Sequence, residues 1–398
     1  MTMNKSKKIL NLLAASAITA LAVSCGGQDE IYQEWVKKGG YDYPAKPINL
    51  TSVSGYQSVV VNWEKPMDPA VRTARLYWDN YASSRDIDYA DYPDGKISME
   101  VDNLEDRSYT FDIVNYDDVG NQSLAAEITV SPYGDGWMVS RSERTITSAR
   151  MDGRDAKIVM SKATDEMVAT RFRYKNLNDE WVECETILKP GENEVIFPEA
   201  LKGKRFEYSS SFCPKAGKDT VWSSWTKSVD GISYPLDGRR WIVTSTTNQD
   251  FSADYAPSKI FDSDTLSGWT STNKSSFKLI FPKILSIDTQ TQGGNEYSFT
   301  RFKFIQDENK SYRYIQDFRI FVGSSYYNPD SADYTTEYGI PFLLGSFNVN
   351  EKTQSVSASL GASGRYFAIV FNNSWSSEDG YIDLKELVPY GYISSQAD

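Results

Sequence analysis

The chain has 398 residues, with 42 Lys and Arg against 54 Asp and Glu, a formal charge of −12 and no histidine. Phosphate binding needs clustered Lys and Arg, so the acidic balance argues against nucleic acid as a partner. Without histidine there is no Ser-His-Asp or Cys-His catalysis and no His-ligated metal site.

Lys5, Lys7 and Lys8 precede an apolar run from Ile9 to Val23, broken only by Asn11, Ser16 and Thr19. The run is short for a bilayer span, which needs about 20 apolar residues. Charge followed by a short apolar run is the order of an export signal, and it stands outside the fold. Ala22-Val23-Ser24-Cys25 resembles the bacterial lipobox, in which small residues precede a cysteine that becomes lipidated and N-terminal. This predicts a signal over residues 1–24, Cys25 as the lipid anchor and an anchor linker over 25–46. Gly26-Gly27-Gln28-Asp29-Glu30 is similar to the short acidic tags that send Bacteroidetes lipoproteins to the outer face of the outer membrane. The expected location is therefore the outer membrane, lipid-anchored and facing outward. No later stretch approaches membrane length.

Two cysteines remain, Cys184 and Cys213, too few for a four-thiolate zinc site. Exported proteins keep disulfides, so the two either pair and staple one domain or stay as buried thiols.

Beyond the signal, aromatic and β-branched residues alternate with polar ones, as in Tyr109-Thr110-Phe111-Asp112-Ile113 and Arg171-Phe172-Arg173-Tyr174. Period-two patterns of this kind read as half-buried strands, and no sustained helical stripe appears. An all-β fold of short strands and Gly, Pro, Asn and Asp turns follows.

A repeat appears at a shift of 97 residues. Ser58-Val59-Val60-Val61-Asn62-Trp63 falls on Asp155-Ala156-Lys157-Ile158-Val159-Met160, and the register carries Tyr77 onto Tyr174, Tyr109 onto Phe206 and Gly120 onto Gly217. Each match alone is weak, but one register held over some 60 residues predicts two similar domains. The strand with Trp63, the strand Arg75-Leu76-Tyr77-Trp78 and the Leu104–Tyr109 corner resemble the fibronectin type III sandwich. The resemblance implies a corner Tyr109 whose hydroxyl bonds back to upstream backbone; Phe206 lacks that hydroxyl. The sandwiches are expected over 47–133 and 134–237. Ile31-Tyr32-Gln33-Glu34-Trp35 through Pro47, with Asp68-Pro69-Ala70-Val71, is similar to an N-terminal domain of Bacteroidetes surface lipoproteins that has no assigned activity.

A linker near Tyr234-Pro235-Leu236-Asp237-Gly238 precedes a third domain, 238–398. Ala256-Pro257-Ser258-Lys259-Ile260-Phe261-Asp262-Ser263-Asp264 through Trp269, then Tyr314–Gly323, Gly364-Arg365-Tyr366 and Ile382–Gly391 resemble four stretches of the discoidin-like domains. These are also called coagulation-factor C-type or galactose-binding-like, and they include many carbohydrate-binding modules. The resemblance implies an eight-stranded jelly roll, with Trp269 in its core. It also implies a structural calcium at Asp262, Asp264, Ser267 and Glu386, because calcium takes six to eight oxygens from a tight acidic turn. Ser263 stands where that family usually has Gly, and Ser267 where it has Thr; a plain Asx turn without metal suits the same residues.

In such domains, ligands sit on end loops. Aromatic faces cover the C–H face of a sugar while polar groups fix its hydroxyls. The candidates are Tyr326, Tyr327, Tyr334, Tyr338 and Trp375, the last alone in Asn372-Asn373-Ser374-Trp375-Ser376-Ser377. The leading expectation is a non-enzymatic, glycan-binding surface lipoprotein with the sandwiches as spacers. The alternative is a protein-binding subunit of an outer-membrane nutrient-uptake complex, with the sandwiches as the interface. Fifty-four acids guarantee chance carboxylate pairs, and none stands in a recognisable catalytic motif, so glycosidase activity is not expected.

Overall fold

The computed structural model describes residues 43–246, 252–271, 281–292, 295–375 and 380–398. The export signal and Cys25 lie outside these residues. The chain separates into two compact units, Met1–Trp137 with Ala216–Lys218, and Met138–Lys215 with Asp219–Asp398.

In the first unit, alternation along the chain makes seven strands: β1 Ile48–Gly55, β2 Ser58–Glu64, β3 Thr73–Trp78, β4 Ser83–Asp88, β5 Lys96–Asp102, β6 Tyr109–Tyr116 and β7 Ala126–Val130. They form a three-stranded sheet, β1-β2-β5, and a four-stranded sheet, β4-β3-β6-β7. Every second residue points inward: Val59, Val61 and Trp63 from β2, Ala74 and Leu76 from β3, Phe111 and Ile113 from β6. Each large apolar side chain so buried contributes about 1.5–3 kcal/mol. Trp63 and its neighbours bring polar groups inside, and these are satisfied in a chain. Trp63 Nε1 donates to the Tyr89 hydroxyl at 3.1 Å, which donates to Asn115 Oδ1 at 2.7 Å, and Asn115 Nδ2 donates to Ala45 O at 2.8 Å. The Tyr109 hydroxyl accepts from the Glu105 backbone N–H at 3.0 Å, closing the corner as the resemblance implied.

The second unit begins with a sandwich of the same plan: β8 Ile146–Asp152, β9 Asp155–Met160, β10 Met167–Lys175, β11 Trp181–Glu183, β12 Glu194–Phe197, β13 Glu207–Phe212, β14 Val221–Trp222 and β15 Thr226–Lys227. Its sheets are β12-β9-β8 and β11-β10-β13-β14, with β15 also on β13. The 97-residue shift lays β2 on β9 and β3 on β10. The inward residues of β10 are Phe172 and Tyr174; on its other face the Arg171 guanidinium lies 4.3 Å from the Trp222 ring, and that of Arg173 lies 4.7 Å from Trp225. Of the two alternatives left for the cysteines, the structure has the thiols and not the staple. Cys184 and Cys213 are thiols, Cys184 donating to Ile196 O and Cys213 to Pro214 O. Cys184 packs in the sandwich core, and its burial pushes its thiol pKa up.

The jelly roll follows: β16 Tyr234–Pro235, β17 Ile242–Ser245, β18 Trp269–Thr270, β19 Lys283–Asp288, β20 Tyr297–Gln306, β21 Ile315–Gly323, β22 Leu343–Ser346, β23 Thr353–Gly364, β24 Tyr366–Ser374 and β25 Asp383–Ile393. One sheet is β16-β25-β20-β23 with β18 on β25; the other is β17-β19-β24-β21-β22. The ten strands exceed the expected eight because β16 and β18 are two-residue pairings on β25. Between the sheets lies an aromatic core of Trp241, Trp269, Phe299, Phe302, Phe304, Phe318, Phe347, Phe367 and Phe371.

The stretch read as a linker is structured. Tyr234 and Pro235 pair with β25, while Ser233 accepts from Met151 N at 2.8 Å and donates its own N–H to Ala149 O at 3.0 Å. The C-terminus is held too: Lys227 Nζ lies 2.7 Å from Asp398 Oδ1, and Arg205 N donates to Ala397 O at 2.7 Å. Sandwich and roll are thus bonded at both chain ends.

Candidate functional site

β24 fixes where the expected ligand residues stand. It rises about 3.3 Å per residue, so its nine residues separate the two ends of the roll by roughly 25–30 Å. At its first end, Tyr326 is exposed, its hydroxyl 3.1 Å from that of Thr244 and its ring edge-on to Tyr366. At its last end stands Trp375. Tyr326 and Trp375 therefore do not share one site.

Three of the five rings are packing residues. Tyr338 is 7% exposed, donates its hydroxyl to Asn328 O and stacks edge-on to Phe321 and Tyr327. Tyr327 and Tyr334 pack on the same small cluster with Ile284, Phe321, Ala368 and Val370. Burial pushes the Tyr327 hydroxyl pKa up. Tyr327, Tyr334 and Tyr338 cover the outer face of the β17-β19-β24-β21-β22 sheet, which corrects the expectation that they face a ligand.

Trp375 differs. Its backbone N–H donates to Tyr314 O at 2.9 Å and its Nε1 to Phe347 O at 3.0 Å, so backbone and ring are each held by one bond, yet the residue stays 40% exposed. The residue before Tyr314 is Arg313. Its guanidinium lies 4.4 Å from the Tyr381 ring and donates to Asp383 Oδ2 at 3.1 Å. Asp383 is 2% exposed and also accepts from the Thr270 hydroxyl. Lys310 Nζ stands 3.7 Å from Asp383 and 3.7 Å from Asp307, and Lys385 Nζ 3.4 Å from Asp307. A buried carboxylate is tolerated only when paired and bonded in this way. Lys283, also buried, opens β19 opposite Phe371 at this same end, and its burial lowers its pKa to about 8. This end of the roll thus offers one fixed ring beside ordered cationic and anionic side chains.

Sequence reading missed Arg313, Tyr381 and Asp383. They sit at the edges of the resembling stretches, one residue before Tyr314 and on either side of Ile382, where strand pattern gives way to loop.

The acidic turn does gather its residues. Asp262 Oδ1 accepts from Asp264 N at 3.0 Å and its Oδ2 from the Ser267 hydroxyl at 2.6 Å; Ser267 N donates to Asp264 O at 3.1 Å. Ser263, at the family's glycine position, adopts φ +63°, the left-handed region that glycine enters without cost. These bonds make an Asx turn by themselves. Glu386 adds something the turn does not explain. Its Oε2 is buried with no hydrogen-bond partner, and burial together with Asp262 and Asp264 raises its pKa to about 7. Among the described residues no three of His, Cys, Asp and Glu stand close enough to hold a metal ion by themselves. The set fits a calcium in charge and in its orphaned carboxylate oxygen, with backbone carbonyls needed to complete the ligation.

Residues 25–219 match the family model of a domain of unknown function, DUF4998. No curated protein matches the chain. Among solved structures, the family 32 carbohydrate-binding module of NanJ from C. perfringens, in complex with galactose, is 12% identical, with a TM-score of 0.32 over 40% of this chain and 99% of that one. A SusE-like protein is 9% identical, with a TM-score of 0.32 over 87% of this chain and 97% of that one. A fucolectin from striped bass (Morone saxatilis) serum is 11% identical, with a TM-score of 0.30 over 73% and 84%. At these TM-scores the likenesses carry no argument, and function rests on the residues of this chain.

Proposed function

We propose that this chain is a non-enzymatic surface lipoprotein that binds glycan at the Trp375 end of its jelly roll, with the two sandwiches as spacers. The observation that carries the reading is Trp375 itself, its indole pinned by Phe347 O and its backbone by Tyr314 O, yet 40% exposed. A ring held in place loses little freedom on binding and can cover the apolar face of a sugar. Arg313, one residue before the Tyr314 that holds the Trp375 backbone, offers donors for hydroxyls, and the buried Asp383 orders its guanidinium. Covering one face contributes about 1–2 kcal/mol by area, so one ring with few polar bonds gives millimolar-class binding, and retention rests on several bonds or many copies per cell.

Calcium, held by Asp262, Asp264, Ser267 and Glu386, would brace the turn that leads into Trp269. Anchoring is assigned to Cys25. No helix among the described residues is long and apolar enough to cross a membrane. The full chain probed on an array of plant, host and microbial glycans tests the reading. Retention of a defined class supports it. No retention, with a stoichiometric protein captured from native membranes, moves the function to an uptake-complex subunit.

A further inference from the structure

A second candidate site lies far from Trp375 in character and shares no residue with it. Between β8 of the second sandwich and the outward face of β20 and β23 is a cleft of about 320 Å³, wholly inside the second compact unit. That volume is at the small end of ligand pockets.

Three arginines line it: Arg144, Arg150 and Arg301. On β20 the inward positions are Phe302 and Phe304, so Arg301 points outward, donating Nη2 to Ser355 Oγ at 2.8 Å over the Tyr390 ring. Arg144 is 3% exposed and donates to the carbonyls of Glu192 and Lys189. The Nε–H groups of Arg144 and Arg301 are buried and meet no acceptor among the described residues. Burial and the nearby Arg150 both push Arg301 down from the ordinary arginine value. The two carboxylates of the cleft do not relieve this. Glu143 is taken by the Ser210 N–H and the hydroxyls of Ser210 and Ser223, and Asp230 by Gly361 N and the Tyr392 hydroxyl. Arg150 and Arg301 thus line one cleft with no ion pair to a carboxylate among the described residues, and like charges so crowded mark a place for an anion.

The rest of the lining is hydroxyl-rich. Thr145, Ser148, Ser357 and Ser359 border the cleft, and their side chains make no hydrogen bond among the described residues. Val229 and Leu360 are 62% and 59% exposed beside them.

We propose that this cleft binds an acidic saccharide unit, a sugar ring carrying a carboxylate or a sulfate. The guanidinium groups of Arg150 and Arg301 match the planar or tetrahedral oxyanion, the four hydroxyls meet those of the ring, and Val229 and Leu360 meet its C–H face. The site is independent of Trp375, and its test keeps the two apart.

The test is calorimetric titration of the full chain at about 20 mM salt, where electrostatics are least screened. The probes are a galacturonate disaccharide, galactose 6-sulfate, galactose and sodium sulfate. The acidic sugars should bind more than tenfold tighter than galactose or sulfate alone and weaken as salt rises. Arg301→Gln and Arg150→Gln should each weaken them at least tenfold, Arg150→Gln carrying the test where Arg301→Gln lowers the melting temperature. Arg154→Gln, whose side chain is 74% exposed, should change nothing. Galactose or bare sulfate binding as tightly as the acidic sugars would overturn the proposal. So would full binding by both arginine variants, or no binding of the acidic sugars.

Discussion

Arg365 lies in the Gly-Arg-Tyr stretch that resembles the discoidin-like strand, and the structure gives it a partner. Its Nε and Nη2 donate to Asp288 Oδ1 and Oδ2 at 2.8 and 2.7 Å, a two-bond clamp joining the end of β19 to the start of β24. The Arg365 hydrogen bond, offset in part by burial, holds the Asp288 carboxyl below the usual range. A depressed carboxylate stabilises the fold above its unfolded pKa, and that stabilisation is lost as pH falls through the folded value. Asp288→Asn should therefore cost about 1–2 kcal/mol at pH 7, discounted for the partial exposure of Arg365. Urea melts should show the gap between variant and parent narrowing from about pH 5 toward pH 2.5; a gap independent of pH would contradict this. Arg365 was legible from the sequence, but Asp288 was not, because their pairing depends on two strands 77 residues apart meeting in register. The same limit explains the tyrosines. A sequence shows a ring in a polar loop; only the fold shows that Tyr338 turns back onto Phe321 while Trp375 stays exposed. Trp269, by contrast, was read as core and is 1% exposed.

At the scale of elements, strands with one dry face were legible from alternation, as in β10 with Phe172 and Tyr174 inward and Arg171 and Arg173 outward. β24 reads as a continuous apolar run from Phe367 to Phe371, because the aromatic core covers one face and the Tyr338 cluster the other. Pairings of two residues, such as β16 and β18, carry no period at all, and β16 was read as linker. The Asp262–Ser267 turn is the element whose chemistry can be tested without any ligand of the whole protein. If calcium braces it, millimolar calcium should raise the melting temperature by several degrees at neutral pH, since a ligand that binds only the folded state stabilises it by mass action. Glu386→Gln should remove most of that gain while folding normally. A melting temperature indifferent to calcium and chelator would leave the turn as an Asx turn alone.

For the whole molecule, the proposal runs along the chain from a lipid at Cys25 through two sandwiches of one plan to a glycan site at Trp375. Cys25→Ala should release the protein from membranes or stall its processing, read by fractionation of expressing cells; unchanged anchoring would contradict the assignment. The all-β class and the repeat were legible because they depend on local period and on a shift that β2 and β9 share. The proposed binding end was legible only as Trp375, since Arg313 meets Tyr381 and Asp383 from some 70 residues away along the chain. The most direct measurement is the affinity of the full chain for its retained glycan, taken beside its melting temperature, for the parent, Trp375→Ala and Tyr326→Ala. The account predicts that Trp375→Ala weakens binding more than about tenfold, roughly the 1.4 kcal/mol worth of one covered ring face, with the melting temperature nearly unchanged. Tyr326→Ala, at the opposite end of β24, should bind as the parent does. Undiminished glycan binding by a folded Trp375→Ala protein would contradict the central claim.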